Sequence, residues 1–388
     1  GDQLLLVQTL NVTAVLAFVL ACLATGTRAR ASRADGLPTE LSASACLRLT
    51  LGSYAVGAIG LLCWLITIHN VGGFVKAFSA SYSGGWDDSG YVRDCSLLLL
   101  VAVLLAVSSQ AAGGLRLLNL AAMAGFGLPW AAQAVLMARR GPTFSIVVVV
   151  VMGWYLSRRK RPPVLATAGL GLLLGYFVLF LVTNRSQIYL GSNFDVNTDV
   201  SNIVETPDTG NEYIYGSGSV LAARQRDHYF WMRRYLAQVL VRPIPRAIWP
   251  TKYEDFGVPE LLTNAGTGEG FADALGWVGA DGSAPGIVAD LWVEAWWFAV
   301  PLIAAIGCAY CWVWKRAVTR GGPWASQYVI LSAISIYLIM QTMEAVIFRT
   351  LLLSIPSWLV WRWALRAPAV QEEQDAIEGA FDGGMQRA

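Results

Sequence analysis

The sequence has little charge and few of the residues that build metal or redox centres. Only 14% of its 388 residues are charged, whereas a soluble domain carries about a quarter. It has only two histidines, His69 and His228, which argues against a histidine-rich metal site. Its six cysteines are scattered and imply no disulfide framework, and we interpret the C-x-x-C of Cys308 and Cys311 as two small core residues. The glycines of "GTGEG" at 266–270 precede no lysine, which excludes a phosphate-binding P-loop.

Long hydrophobic runs make up much of the sequence instead. Hydrophobic residues make up 55% of the chain, and the mean hydropathy is +0.50. Because about 20 apolar residues in a helix cross a bilayer, the pattern predicts an all-α polytopic membrane protein. The first run lacks the basic flank of a signal peptide and is interpreted as a membrane helix. Since the sequence begins at Gly1 and not at a methionine, we expect nine or more spans. The predicted spans are 4–24, 47–68, 95–112, 117–138, 143–157, 163–183, 286–313, 325–346 and 350–366.

Lysine and arginine in the loops predict which side each loop faces. The clusters "TRARASR", "SRRKR" and "WKRAVTR" and the residue Arg116 fall on alternate loops, which places them in the cytoplasm. The intervening loops then face outward, including a long one. A loop of roughly 100 residues is unusual in a compact bundle and indicates function. The expected parts are a transmembrane bundle (1–183), a large, partly helical periplasmic loop (184–285), C-terminal transmembrane helices (286–366) and an acidic cytoplasmic tail (367–388).

The outer loop contains an arginine-rich stretch, "RQRDHYFWMRRYLAQVLVRPIPRAIWP", at 224–250. Its first part has helical spacing, and its three prolines then break the helix. We expect a helix on the membrane surface followed by a kinked segment in the headgroup layer, where tryptophan and tyrosine are common.

Arginine is the residue best suited to hold a lipid diphosphate at this outer face. Its planar fork grips phosphate with two hydrogen bonds and stabilises the charge that grows on a departing diphosphate. The alternative is simple contact with lipid headgroups. The arginines predicted to lie on the outer side are Arg139, Arg140, Arg226, Arg233, Arg234, Arg242, Arg246 and Arg349.

Three residues are candidates for the general base. Asp290 and Glu294 begin a membrane span one helical turn apart and therefore share a face. A carboxylate within an apolar span indicates function by default, but pairing with an arginine for structure is the equal alternative. His228 lies among the arginines and is suited to proton transfer near neutral pH; the alternative is an incidental surface histidine.

Several of these residues together resemble a known family. The residues are "RRG" at 139–141, "RPIPRAIWPTK" at 242–252 and "SAPGIVADLWVEAWW" at 283–297. The set resembles the Wzy-type O-antigen or oligosaccharide repeat-unit polymerases and is also similar to the O-antigen ligases. The most specific piece is "PRAIWPTK", which ends at Lys252. The resemblance covers residues 130–300 in detail and the rest of the chain only through its hydropathy.

The resemblance implies a GT-C-like membrane glycosyltransferase of the bacterial inner membrane with its site facing the periplasm. Donor and acceptor would be glycans on undecaprenyl diphosphate, and the enzyme would need no metal, nucleotide or other cofactor. Membrane lipids, a chain-length regulator and a flippase are the further partners implied, and nucleic acid is not. Arg139 or Arg140 would match the family's arginine–glycine pair, and Arg246 and Lys252 its proline-rich phrase. Asp290 stands where the family has an acidic residue, although "VAD" replaces the usual glycine and glutamate.

Other functions remain open at the level of the sequence. A ligase or another lipid-linked glycosyltransferase would share the donor chemistry, so the arginines do not distinguish it from a polymerase. A transporter of lipid-linked glycans usually has two related halves and ionisable residues near mid-membrane. The sequence shows no internal repeat of that kind, and its ionisable residues are predicted near one edge.

Overall fold

In the part of the chain that the structure describes, all regular secondary structure is helical and none of it is strand. The structure is a computed structural model. The described residues are 2–26, 41–79, 91–184, 187–193, 195–196, 212–241, 244, 248–256 and 284–366.

Sixteen α-helices make up the described residues, with two short turns of other helix type. A π-helical turn, Ala237–Val241, follows α10, and a 3₁₀ turn, Trp296–Phe298, separates α12 from α13. The α-helices are α1 (Asp2–Gly26), α2 (Ala43–Val71), α3 (Phe74–Phe78), α4 (Tyr91–Cys95), α5 (Leu98–Ala111), α6 (Arg116–Leu136), α7 (Arg140–Ser157), α8 (Val164–Thr183), α9 (Glu212–Arg226), α10 (Arg233–Leu236), α11 (Lys252–Asp255), α12 (Gly286–Ala295), α13 (Ala299–Arg320), α14 (Gly322–Ile334), α15 (Ile336–Met340) and α16 (Met343–Ala364).

Seven helical segments in the described residues are long and apolar enough to cross a bilayer. They are α1, α2, the α4–α5 segment, α7, α8, the α12–α13 segment and nearly all of α16. The prediction of a helical multi-pass membrane protein is therefore confirmed. The other two expected spans coincide with α6 and the α14–α15 pair, so a count of nine stays a prediction, as does the GT-C-like fold.

The centre of the bundle is α5, which is buried from Leu98 to Ser109 and packs against α2, α6 and α7. Three polar side chains join the helices around it. The Thr50 hydroxyl lies 2.9 Å from both Ser109 Oγ and Asn119 Oδ1, and Asn119 Nδ2 donates to Ser109 Oγ at 3.2 Å. Hydrogen bonds of this kind link helices where no water is present to satisfy polar groups.

Helices from the two ends of the chain pack together. The N-terminal α1 lies along α13, α7 packs against α14, and α2 packs against α16. Small residues permit the first of these contacts: a Cβ on Gly307 would lie 2.9 Å from the Phe18 carbonyl oxygen. In contrast, most of α8 is exposed, as expected of a helix that faces lipid.

Candidate functional site

The candidate site lies at a break in the long apolar segment formed by α12 and α13. α12 ends at Ala295, and Trp296 has a φ of 50°, which interrupts the helical ladder before α13. The carbonyl groups of Val293 and Glu294 then accept hydrogen bonds from another part of the chain. They bind the backbone N–H groups of Phe230 (3.1 Å) and Trp231 (2.6 Å). Interrupted membrane helices are tolerated where neighbouring protein satisfies the freed backbone groups.

The segment that supplies those N–H groups connects α9 to α10. Asp227, Trp231 and Met232 all have positive φ, between 49° and 68°. This turn places Phe230 in the core and positions α10 beside α12. The arginine-rich stretch is therefore docked on the bundle.

A buried ion cluster connects α10 to α12. Arg234 Nη2 lies 2.7 Å from Asp290 Oδ1, and Arg234 Nε donates to Glu294 Oε1. The side chains of Asp290 and Glu294 are 0% exposed, and that of Arg234 is 5% exposed. The i, i+4 spacing of the two carboxylates, read from the sequence, is what lets one guanidinium contact both.

The second oxygen of Asp290 extends the cluster to α16. It accepts a hydrogen bond from the Tyr235 hydroxyl at 2.5 Å and another from the backbone N–H of Met343 at 2.8 Å. Met343 is the first residue of α16, and Thr342 provides no side-chain cap, so Asp290 caps this helix from outside. Burial first, and then the Asp290 charge, raise the pKa of Tyr235 well above its usual value, which keeps its hydroxyl a donor.

A second cluster lies two turns further along α16, around the predicted arginine Arg349. The guanidinium carbon of Arg349 lies 4.0 Å from the ring centre of Tyr337, and Arg349 Nη1 donates to Gln341 Oε1. Gly141, of the "RRG" sequence, packs on the same ring: a Cβ there would lie 2.6 Å from the Tyr337 hydroxyl oxygen. The structure thus brings Arg349 and the start of α7 to one tyrosine.

Arg139 and Arg140 lie at the start of α7, next to that glycine. Both are half-buried, and the Arg139 carbonyl accepts a hydrogen bond from the Thr143 hydroxyl at 3.0 Å. The sequence predicts that these two arginines lie at the start of a helix, and the structure agrees.

Several residues of the α9–α10 segment are exposed and do not face the bundle. They include Arg226, Arg233 and His228. The His228 ring makes an edge contact with Phe230 at 5.1 Å.

Lys252 lies in a different environment from the arginines. It is 1% exposed, and its ammonium donates to the carbonyls of Val241, at 3.2 Å, and Ile244. These contacts tie the start of α11 to the end of the π-helical turn.

Of the predicted arginines, Arg242 and Arg246 lie outside the described residues.

Two residues of this second cluster, Tyr337 and Gln341, are not predicted from the sequence. Both lie in the apolar run "ISIYLIMQTMEAV" at 334–346, which belongs to the single predicted span 325–346. The polar pair Gln341–Thr342 was the available signal, because α15 ends and α16 begins there.

No group of three or more His, Cys, Asp or Glu in the described residues is arranged to hold a metal ion. The expectation of metal-free activity stays a prediction.

The fold and this site define a multi-pass helical membrane protein in which a buried arginine–carboxylate cluster joins a loop segment to two membrane helices. No protein-family model, curated protein or solved structure matches the chain.

Proposed function

We propose that this protein is a membrane glycosyltransferase that polymerises glycan repeat units carried on a lipid diphosphate, at the outer membrane face. In this proposal α6 and the α14–α15 pair also cross the bilayer, which gives nine spans and places residues 184–285 outside. The resemblance of "RRG" and "PRAIWPTK" to the repeat-unit polymerases supports the reaction class.

The observation that carries the proposal is the gathering of predicted arginines where several helices begin or end. Arg349 stacks on the Tyr337 ring, and Gly141, the residue that follows Arg139 and Arg140, packs on the same ring. Arg234 is linked to the start of the same α16 through Asp290. Such a group of guanidinium ions beside helix ends favours an anionic ligand.

The difference in burial supports two uses of arginine within this group. Arg234 is buried and engages two carboxylates, so its role is to hold the loop on the bundle. Arg139, Arg140 and Arg349 are half-buried, and they are the proposed donors to the diphosphate. Exposed Arg226 and Arg233 would contact the donor from the loop side.

The proposed reaction is a displacement at the anomeric carbon. A hydroxyl of the acceptor glycan attacks that carbon, the bond from carbon to the diphosphate oxygen breaks, and the lipid diphosphate leaves with the electron pair. The hydroxyl proton passes to a base and then to water. Asp290 already accepts hydrogen bonds from Arg234, Tyr235 and the Met343 N–H, so exposed His228 is the base that we favour.

The test is a polymerisation assay with purified protein and one synthetic diphosphate-linked repeat unit. We expect a ladder of extended products, formed also in excess chelator. Arg349→Gln and Arg139→Gln should each slow the reaction by about 10²–10³-fold, the effect of removing one donor to a developing charge. His228→Gln should also be slow, whereas Lys160→Gln, just beyond the opposite end of α7, should match the wild type.

Other outcomes separate the alternative functions. Transfer of a single glycan to a different acceptor, without a ladder, would indicate a ligase. Movement of the lipid-linked unit across vesicles without new bonds would indicate a transporter. Wild-type ladders from both arginine variants would remove the arginines from the proposal.

A further inference from the structure

A basic groove lies at the end of the bundle opposite the candidate site. α16 begins at Met343, whose backbone N–H binds Asp290, and runs for 22 residues, or about 33 Å, to this groove. The groove has a volume of about 470 Å³ and lies between the ends of α13 and α16 and the start of α14. Three arginines (Arg320, Arg362 and Arg366) and two tryptophans (Trp324 and Trp358) line it.

Aromatic contacts build one wall of the groove. The Trp324 ring meets the rings of Trp358 and Trp312 edge to face, each at 5.1 Å. The Arg316 guanidinium stacks over two of these rings, at 3.6 Å from the centre of Trp312 and 4.5 Å from that of Trp324. Each of these aromatic and cation–π contacts is favourable, so together they stabilise the wall.

Hydrogen bonds from two further arginines fix the backbone around the groove. Arg159 Nη2 donates to the Arg320 carbonyl at 3.4 Å. Arg48 Nη1 donates to the Trp363 carbonyl at 3.3 Å and to the Arg366 carbonyl. The Arg320, Arg362 and Arg366 side chains themselves are exposed.

Among the described residues, the charge around the groove has one sign. These hydrogen bonds show that the start of α2, the end of α7 and the ends of α13 and α16 share one face. The described segments at this end contain eleven lysines and arginines and no aspartate or glutamate. Those segments are 41–53, 108–120, 150–168, 312–327 and 355–366. Without a described carboxylate nearby, the groove is suited to an anion.

The surface that leads away from the groove is apolar. Ile355 and Leu359 on α16 are 55% and 59% exposed, and Leu365 lines the groove itself. A ligand that combined a phosphate with a hydrocarbon chain would contact the arginines, the indoles and this surface together. Arginine binds phosphate with two parallel hydrogen bonds, and tryptophan is preferred at headgroup depth.

We infer that this groove binds the phosphate headgroup of an anionic glycerophospholipid, with its acyl chains along α16. Basic pockets between membrane helices are sites of this kind. A lipid bound in this groove would hold α13, α14 and α16 together at the end of the bundle remote from the candidate site.

The test measures lipid retained by the full-length protein in native mass spectrometry after exchange into detergent. The probes are phosphatidylglycerol, phosphatidylcholine, and glycerol 3-phosphate as the free phosphate. We expect phosphatidylglycerol to be retained at least tenfold better than phosphatidylcholine, with no retention of glycerol 3-phosphate. The variant Arg320→Gln/Arg362→Gln/Arg366→Gln should lose that preference at least fivefold.

The control variant removes the same charge from the same face but away from the groove: Arg116→Gln/Lys160→Gln/Arg161→Gln. It should retain phosphatidylglycerol as the wild type does. An equal loss in both variants would show that the whole face attracts anions and would overturn the site. Equal retention of the free phosphate would overturn its assignment to a lipid.

A second measurement covers the case in which the groove variant does not fold. A photoactivatable phosphatidylglycerol bound to the wild type should crosslink to peptides of α14 or α16. Crosslinks that occur only on other helices would contradict the proposal, as would lipid binding that appears only after deletion of the acidic residues 367–388.

Discussion

At the scale of single residues, burial decides what each arginine does. The sequence presents Arg233 and Arg234 as neighbours of the same type, and only their depth distinguishes them. Arg233 is exposed, whereas Arg234 is buried against Asp290 and Glu294. A buried pair contributes little net stability relative to an apolar substitute, but removing one partner leaves charge without compensation.

Arg234→Met should therefore destabilise the protein strongly. It leaves two buried carboxylates without their guanidinium, at a cost of about 3–5 kcal/mol. We expect a large fall in the thermal unfolding midpoint in detergent. Arg233→Met, on the exposed side, should leave the midpoint nearly unchanged.

A triple variant identifies the cause of that fall. Adding Asp290→Asn and Glu294→Gln to Arg234→Met should recover much of the loss, because the excess negative charge is then removed. A triple variant no more stable than Arg234→Met would show that packing, and not charge, explains the effect.

Gly141→Ala tests the contact between α7 and Tyr337. The added Cβ would lie 2.6 Å from the tyrosine oxygen, so the ring and the stacked Arg349 must move. Crowding of this kind costs about 1–3 kcal/mol. We expect a lower unfolding midpoint and a slower polymerisation reaction.

Gly169→Ala in α8 is the matched control, because a Cβ there meets nothing within 4 Å. It should be neutral or slightly stabilising, since alanine favours a helix more than glycine does. Equal effects of the two substitutions would mean that the contact with Tyr337 has no energetic importance.

At the scale of elements, the site forms where regular helices stop. α12 ends before a 3₁₀ turn, α15 stops at Met340, and a π-helical turn follows α10. Each interruption exposes backbone groups, and the structure satisfies several of them with partners from distant sequence, such as Asp290 at the start of α16. Hydropathy averages over these breaks, which is why the sequence predicted the spans but not the interruptions.

The break after α12 makes a test of backbone strain possible. Trp296 has φ 50° and ψ −136°, a conformation that glycine adopts readily and other residues do not. Trp296→Gly should therefore unfold at a midpoint no lower than that of the wild type.

Trp297→Gly is the comparison at the neighbouring position. The Trp297 ring packs against Trp292 edge to face at 5.1 Å, so its loss should lower the midpoint. If Trp296→Gly lowered the midpoint as much, the side chain of Trp296 and not its backbone would determine stability there.

At the scale of the whole molecule, the sequence predicted the helical membrane class and the position of most spans. It also predicted that Asp290 and Glu294 share a face. The two alternatives for these carboxylates were a role in function and pairing with an arginine for structure. It could not identify Arg234 as that partner, because a contact across 56 residues depends on how α10 docks on α12. The sequence does not identify Tyr337 for the same reason, since Gly141, which packs on its ring, is far away in the chain.

The orientation of the whole bundle can be tested by labelling single cysteines in a cysteine-free background. The charge rule places the Arg116, Lys160 and Arg320 end in the cytoplasm and the α9–α10 segment outside. Arg116→Cys and Lys160→Cys should react with a membrane-impermeant maleimide only after the cells are opened. Asp227→Cys and Arg233→Cys, both at exposed positions, should react in intact cells whose outer barrier has been made permeable. Labelling of Asp227→Cys only in opened cells would put the arginines on the cytoplasmic side and exclude a reaction at the outer face.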